Sequence, residues 1–192
     1  MESVNYPRRL APGKYALQVA DYQLLADAGA FGDSRTELID GEVIVMSPQL
    51  LPHGLVKADI YESLIDALRA VGSPLRVLSE VSLEIAPASM PMPDLMLVDR
   101  PRSQGRRAAQ LGTVPLVIEV ADTSLAEDLG AKRLLYAAAS IPEYWVADVN
   151  GRVIHQFWSP GNGDYEASRR TDFGDSVLSA TIAGLAIDTS AL

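Results

Sequence analysis

The sequence predicts a mixed α/β (α+β) domain in which one mixed β-sheet is flanked by helices. Asp40-Gly41 and Asn150-Gly151 each lie between two apolar β-type runs. That is a strong hairpin signal, because both turn positions favour positive φ. Apolar residues recur at helical spacing over residues 52–71 and again after Ser124. Short apolar runs at 94–98 and 116–121 lie between those two helices. Helical and strand runs interspersed in this way build a sheet with helices packed on it.

The elements follow in order. Residues 1–16 read as a loose N-terminal segment, and residues 17–192 as a single domain. Val19, Tyr22, Leu24, Leu25 and Ala28 mark a short helix within 17–30. Thr36-Glu37-Leu38-Ile39 and Glu42-Val43-Ile44-Val45-Met46 form the first hairpin, closed by Ser47-Pro48. His53, Val56, Ile60, Leu64 and Leu68 line one face of the 52–71 helix. Residues 75–85 alternate apolar and polar, which predicts one half-buried strand. The strands at 94–98 and 116–121 are joined by a loop carrying Arg100, Arg102, Arg106 and Arg107. Ser124 and Glu127 have capping-box spacing at the start of a helix that runs to about Ala139. Pro142 stops it. Residues 143–149 and 152–158 form a second hairpin. Gly161-Asn162-Gly163-Asp164 makes a turn into a strand at 165–169, and an apolar segment at 182–187 ends the chain.

Composition narrows the function. The chain has 192 residues, 48% of them hydrophobic, which suits one domain with a substantial core. No apolar run approaches the ~18 residues of a membrane span. Cysteine is absent, which removes disulfides and thiolate metal sites. With no signal-peptide pattern near Met1, a cytoplasmic location is the default expectation. The net charge is −9, which opposes general nucleic-acid binding. A DNA-facing surface must therefore be local. Arg100, Arg102, Arg106 and Arg107 are the candidates, with Arg169 and Arg170 a smaller pair; both groups also read as solvated loop charges. No phosphate-cradling glycine motif or Gly-x-Ser-x-Gly elbow is present, and two distant histidines do not make a zinc site.

Three charged residues fall where the pattern predicts core. Asp94 opens the run Asp94-Leu95-Met96-Leu97-Val98, Glu119 lies among Val117, Ile118 and Val120, and Lys132 shares a helix face with Leu125, Leu129 and Tyr136. A lone buried charge is costly. Two acids on consecutive strands can meet and share a hard cation such as Mg²⁺. Glu119 has the strongest claim, since its strand offers no ordinary partner. Asp94 alone reads as a strand-end acid. Lys132 reads equally as a surface lysine paired with Asp128. Glu37 alternates with Leu38, and His53 sits in an apolar stripe; each also has an ordinary structural reading. His155, Tyr144 and Trp145 read as structural.

In order and spacing, a set of motifs resembles the Uma-type restriction endonuclease family of the PD-(D/E)XK nuclease superfamily. The motifs are Glu37-Leu38-Ile39-Asp40-Gly41-Glu42, Met46-Ser47-Pro48, His53, Pro93-Asp94, Glu119-Val120-Ala121-Asp122-Thr123-Ser124, Asp128-x-x-x-Lys132-x-x-x-Tyr136 and Ile141-Pro142-Glu143-Tyr144-Trp145. The resemblance covers roughly residues 17–160. It implies a restriction-endonuclease-like core, a four- or five-stranded mixed sheet with the site where central strands splay. Asp94 and Glu119 match the superfamily's metal-binding acids. The usual lysine two residues after the glutamate is Ala121 here, a departure, and Lys132 on the next helix matches the relocated lysine. Glu37 and His53 match accessory positions. The implied activity is Mg²⁺- or Mn²⁺-dependent hydrolysis of DNA phosphodiesters, and a homodimer is the simplest way to cut both strands. A nuclease-fold module that binds nucleic acid or protein without cutting is the competing reading, and the acidic charge favours it.

Overall fold

The structure is a computed structural model and describes residues 13–99 and 108–192. Arg100, Arg102, Arg106 and Arg107 lie outside the described residues, as do residues 1–12 of the N-terminal segment.

Helix α1 (Val19–Asp27) leads into hairpin β1 (Thr36–Ile39) and β2 (Glu42–Val45). Asp40 and Gly41 take φ of 48° and 81°, the left-handed pair that an Asp-Gly turn supplies. Gly41 is also required sterically, since a Cβ there would stand 2.7 Å from Ala16 Cβ. Helix α2 (Leu51–Ala70) follows the predicted periodicity and buries His53, Ile60, Leu64 and Leu68.

The main sheet contains β3 (Leu75–Ser79), β5 (Leu95–Asp99), β7 (Leu116–Ala121), β8 (Glu143–Asp148), β9 (Val153–Gly161) and β10 (Asp164–Asp172). The strand order is β10-β9-β8-β7-β5-β3. Within this sheet only β7 and β8 pair in parallel. The sheet has six strands rather than four or five because the long β9–β10 hairpin extends it. Strands β7 and β8 are buried along their whole length, as expected of central strands covered on both faces.

Two cores sandwich the sheet. One packs Ile60, Leu64 and Leu68 of α2 on Leu95, Leu97, Leu116, Ile118 and Trp145. The C-terminal strands β11 (Ser176–Leu178) and β12 (Ala186–Asp188) pair with each other and add Val177 and Ile187 to this core. The other core joins Met96, Val98, Val117, Tyr144 and Val146 to Tyr136. Tyr136 belongs to α4 (Arg133–Ala138).

Several expectations are corrected. The 75–85 run is not one strand: it breaks at Glu80, whose φ is 56°, and β4 (Leu83–Glu84) pairs instead with the short β6 (Ala109–Gln110). Lys57 and Arg35 hold the Glu80 carboxylate at this kink. The helix after Ser124 is interrupted: α3 (Leu125–Glu127) passes into a π-helical turn over Asp128–Lys132 before α4. Ser124 makes no capping bond, because its hydroxyl donates to Asp128 Oδ2 at 2.5 Å. In the second hairpin the positive φ falls on Arg152 rather than on Asn150-Gly151.

Candidate active site

The pairing of β5 with β7 ends at Leu95 and Ile118, while β7 continues beside β8 to Ala121. Asp94 and Glu119 are the next residues of that register, at the point where the two strands part. Side chains replace the ladder there. The Asp94 N–H donates to Glu119 Oε2 at 3.1 Å, and the Val120 N–H donates to Asp94 Oδ2 at 2.9 Å. Each acid thus uses the neighbouring strand's backbone as a fixed donor.

Glu119 is 2% exposed and points toward α4, following the alternation of Val117 and Ala121. Its Oε1 accepts from Lys132 Nζ at 3.1 Å and from the Tyr136 hydroxyl at 2.8 Å. Lys132 also lies 3.8 Å from Asp128 Oδ1 and 3.9 Å from Glu37 Oε1. The ordinary reading of Lys132, a surface residue paired with Asp128, is half right: Asp128 is close, but it is buried, Lys132 is largely covered, and Glu119 is closer. The π turn carries both partners of that pair, and such turns often occur at functional sites. The Tyr144 hydroxyl donates to the Asp128 carbonyl at 3.0 Å and ties the turn to β8.

Asp94 Oδ1 accepts from Gln49 Nε2 at 2.8 Å, and His53 Nε2 lies 3.1 Å from Oδ2. His53 reaches it from the first turn of α2. Glu37 is buried, and its Oε2 accepts the Met92 N–H at 3.1 Å. All five residues singled out from the sequence, Asp94, Glu119, Lys132, Glu37 and His53, line one cavity of about 450 Å³. Residues 44–50 and 122–124 complete much of its wall. Arg169 is not part of it; its Nε donates to Gln156 and its guanidinium lies over Trp158 on β9.

The two acids are driven apart electrostatically. Burial pushes Asp94 up, but the hydrogen bond and charge of His53, the Val120 N–H and the Lys57 ammonium outweigh it and hold its carboxyl below the ordinary range. Burial pushes Glu119 up to about 8; Lys132 opposes this, while Asp94, Asp128 and Glu37 add to it. Burial disfavours the Lys132 charge, yet Glu119, Glu37 and Asp128 hold its pKa above the ordinary lysine value. These carboxylates favour the ammonium form of Lys132. Neighbouring groups with opposed shifts are what acid–base and metal chemistry use.

The donor set fits a hard divalent cation. Asp94 Oδ1 and Glu119 Oε2 each accept one hydrogen bond, and a carboxylate oxygen has capacity for a second interaction. Among the described residues, no group of three or more His, Cys, Asp or Glu stands in metal-binding geometry. Two carboxylates with water and substrate oxygens completing the shell is the usual arrangement for Mg²⁺.

Sequence reasoning gave no site role to Tyr136 or Gln49. Tyr136 had a usable signal, since it lies four residues after Lys132 on the same helical face. Gln49 had none, because it lies in a segment without regular structure and is placed by tertiary contacts alone.

Comparison with known proteins bears on the fold and the family. No similar sequence was found among curated proteins. A solved structure described as "a putative nuclease belonging to DUF820 from Anabaena variabilis ATCC 29413" shares the fold with a TM-score of 0.65. It is 12% identical, and the match covers 88% of this chain and 91% of that one. The family model "Uma2: Putative restriction endonuclease" matches residues 19–190, nearly the whole chain including every residue of the cavity wall, so the chain belongs to the Uma2 family.

Proposed function

We propose that this protein is a divalent-cation-dependent endonuclease that hydrolyses DNA phosphodiester bonds. The observation that carries the reading is the meeting of Asp94 and Glu119 at the splayed strand ends, with Lys132 3.1 Å from Glu119 in the same cavity. Asp94 and Glu119 would hold Mg²⁺ or Mn²⁺. When bound, such a cation acidifies water and offsets the charge of the scissile phosphate.

The chain's own residues supply the rest. Lys132 keeps its charge and spends one N–H on Glu119, leaving donors for the attacking water or for charge that develops on the phosphate. Tyr136 fixes Glu119 from the helix side, and Glu37 and Asp128 hold the ammonium in place. His53 steadies Asp94. Arg100, Arg102, Arg106 and Arg107 are the DNA-contact candidates. The domain begins near residue 17, acts in the cytoplasm, and pairs as a homodimer to reach both strands.

The test is supercoiled DNA incubated with Mg²⁺ or Mn²⁺ and with wild type, Asp94→Ala or Glu119→Ala. Nicking by wild type alone is the expected result, and equal behaviour of all three proteins would refute cleavage at this site. The net charge of −9 favours a second reading, a nuclease-fold module that binds nucleic acid or protein without cutting. A DNA gel shift by wild type with no nicking under either cation would select it.

A further inference from the structure

A polar chain runs from Asp94 through Gln49 and Lys57 to Glu80. The Gln49 amide nitrogen donates to Asp94 Oδ1 at 2.8 Å. Its amide oxygen accepts from Lys57 Nζ at 2.5 Å. Lys57 in turn donates to Glu80 Oε1 at 2.7 Å, and Arg35 lies 3.2 Å from Glu80 Oε2. The orientation of the amide is dictated by chemistry. A lysine can only donate and an ionised carboxylate can only accept, so the oxygen must face Lys57 and the NH₂ must face Asp94.

Each end of this chain is anchored. Lys57 lies one helical turn after His53 on α2, so both basic residues of that helix face bear on Asp94, one directly and one through Gln49. The Lys57 side chain is 16% exposed. Glu80 sits at the kink that ends β3, and Lys57 and Arg35 together hold its carboxyl below the ordinary range against the upward push of its partial burial. By contrast, Gln49 belongs to residues 46–50, which have no helix or strand of their own and which all line the cavity. A flexible-rotamer amide in such a segment makes two short bonds only if both partners are fixed.

The geometry points to Gln49 as the positioning residue of Asp94, held in place by Lys57. The carboxylate can rotate about its own side-chain bonds. Val120 and His53 restrain Oδ2 only, and among the described residues Gln49 is the hydrogen-bond donor that fixes Oδ1. As a consequence, and resting on the cation reading above, Gln49 sets how well Asp94 is presented to a divalent cation. Hydrogen-bond partners of metal ligands commonly matter by about 10- to 100-fold in affinity.

Cation-free crystal structures of wild type, Gln49→Met and Lys57→Met, with Mn²⁺ calorimetry on the same proteins, test this. Gln49→Met keeps the side-chain volume and removes both bonds; Gln49→Ala serves if the methionine disturbs folding. The expected structural result is an Asp94 carboxylate that leaves its wild-type rotamer or splits between two. The expected calorimetric result is Mn²⁺ binding weaker by about 10- to 100-fold. Lys57→Met added to Gln49→Met should then weaken binding no further. An unmoved Asp94, or Mn²⁺ binding as tight as or tighter than wild type in Gln49→Met, overturns the assignment; tighter binding would make the amide a competitor of the cation. Wild type that binds no Mn²⁺ would overturn the cation reading instead, and the crystallographic comparison would still decide the role of Gln49.

Discussion

Glu119 and Glu143 stand on neighbouring parallel strands, are 2% and 0% exposed, and have opposite surroundings. Glu143 accepts from the Trp145 indole N–H at 2.6 Å, the Ser179 and Thr181 hydroxyls at 2.6 and 2.8 Å, and the Ala180 and Thr181 N–H groups at about 3.0 Å. All its donors are neutral, and they pin the 179–182 turn to the end of β8. Glu119 receives a lysine, a tyrosine and one N–H, has three more carboxylates nearby, and borders a cavity. Burial of an acid therefore does not by itself mark chemistry. A saturated shell of neutral donors makes a carboxylate structural. Charged partners beside open volume leave it able to take a ligand.

This contrast is most sharply tested at the two residues themselves. Glu119→Gln should reduce Mn²⁺-dependent nicking of supercoiled DNA to background, with a thermal midpoint within a few degrees of wild type. An active Glu119→Gln would break the comparison outright. Glu143→Ala should do the reverse. It strands several buried donors, and a loss of about 4 kcal/mol in urea unfolding is expected. Below its melting range, the variant should bind Mn²⁺ as wild type does. A stable Glu143→Ala that has lost Mn²⁺ binding would mean that Glu143, too, belongs to the site.

The sequence reading could not have drawn this distinction. The premise that a charge in an apolar strand needs a special partner holds for both glutamates, and the partners are remote in the chain. What was legible was local. The Asp40-Gly41 turn, the α2 stripe and the β7 run are set by neighbours in sequence, and their bounds were read to within a residue or two. The break at Glu80 and the π turn at 128–132 were not legible, because partners from other elements act on the local pattern: Lys57 and Arg35 on Glu80 at the first, Glu119 on Lys132 and Tyr144 on the Asp128 carbonyl at the second. The place of Lys132 beside Glu119 came from the family motif. Helical spacing alone left Asp128 as an equal partner.

Lys132 sharpens the comparison from the side of the partner. Its ammonium is the charged donor that Glu143 lacks. Lys132→Met should lower the nicking rate by about 100-fold, the scale of one preorganised charge-stabilising donor. It should not weaken Mn²⁺ binding, because removing a positive charge beside two carboxylates favours a cation. Loss of Mn²⁺ affinity in Lys132→Met would assign the lysine to holding the acids in place rather than to the reaction.

The last contrast is a pH trend, read at Glu119. In the cation-free fold, burial raises Glu119 from the ordinary 4.5 to about 8, despite the opposing charge of Lys132. Between those values the folded state holds a proton that the unfolded chain has released. Stability from this group is therefore complete below about pH 4.5 and is lost as the pH rises toward 8. With EDTA present, the thermal midpoint of wild type should fall between pH 5 and pH 8.5, and that of Glu119→Gln should fall less. Asp128, which burial also pushes up against Lys132 and Ser124, leaves a residual slope in the variant. Parallel profiles for wild type and Glu119→Gln would show that Lys132 and Tyr136 hold Glu119 ionised throughout. The site would then resemble the saturated shell around Glu143 more closely than the open arrangement described here.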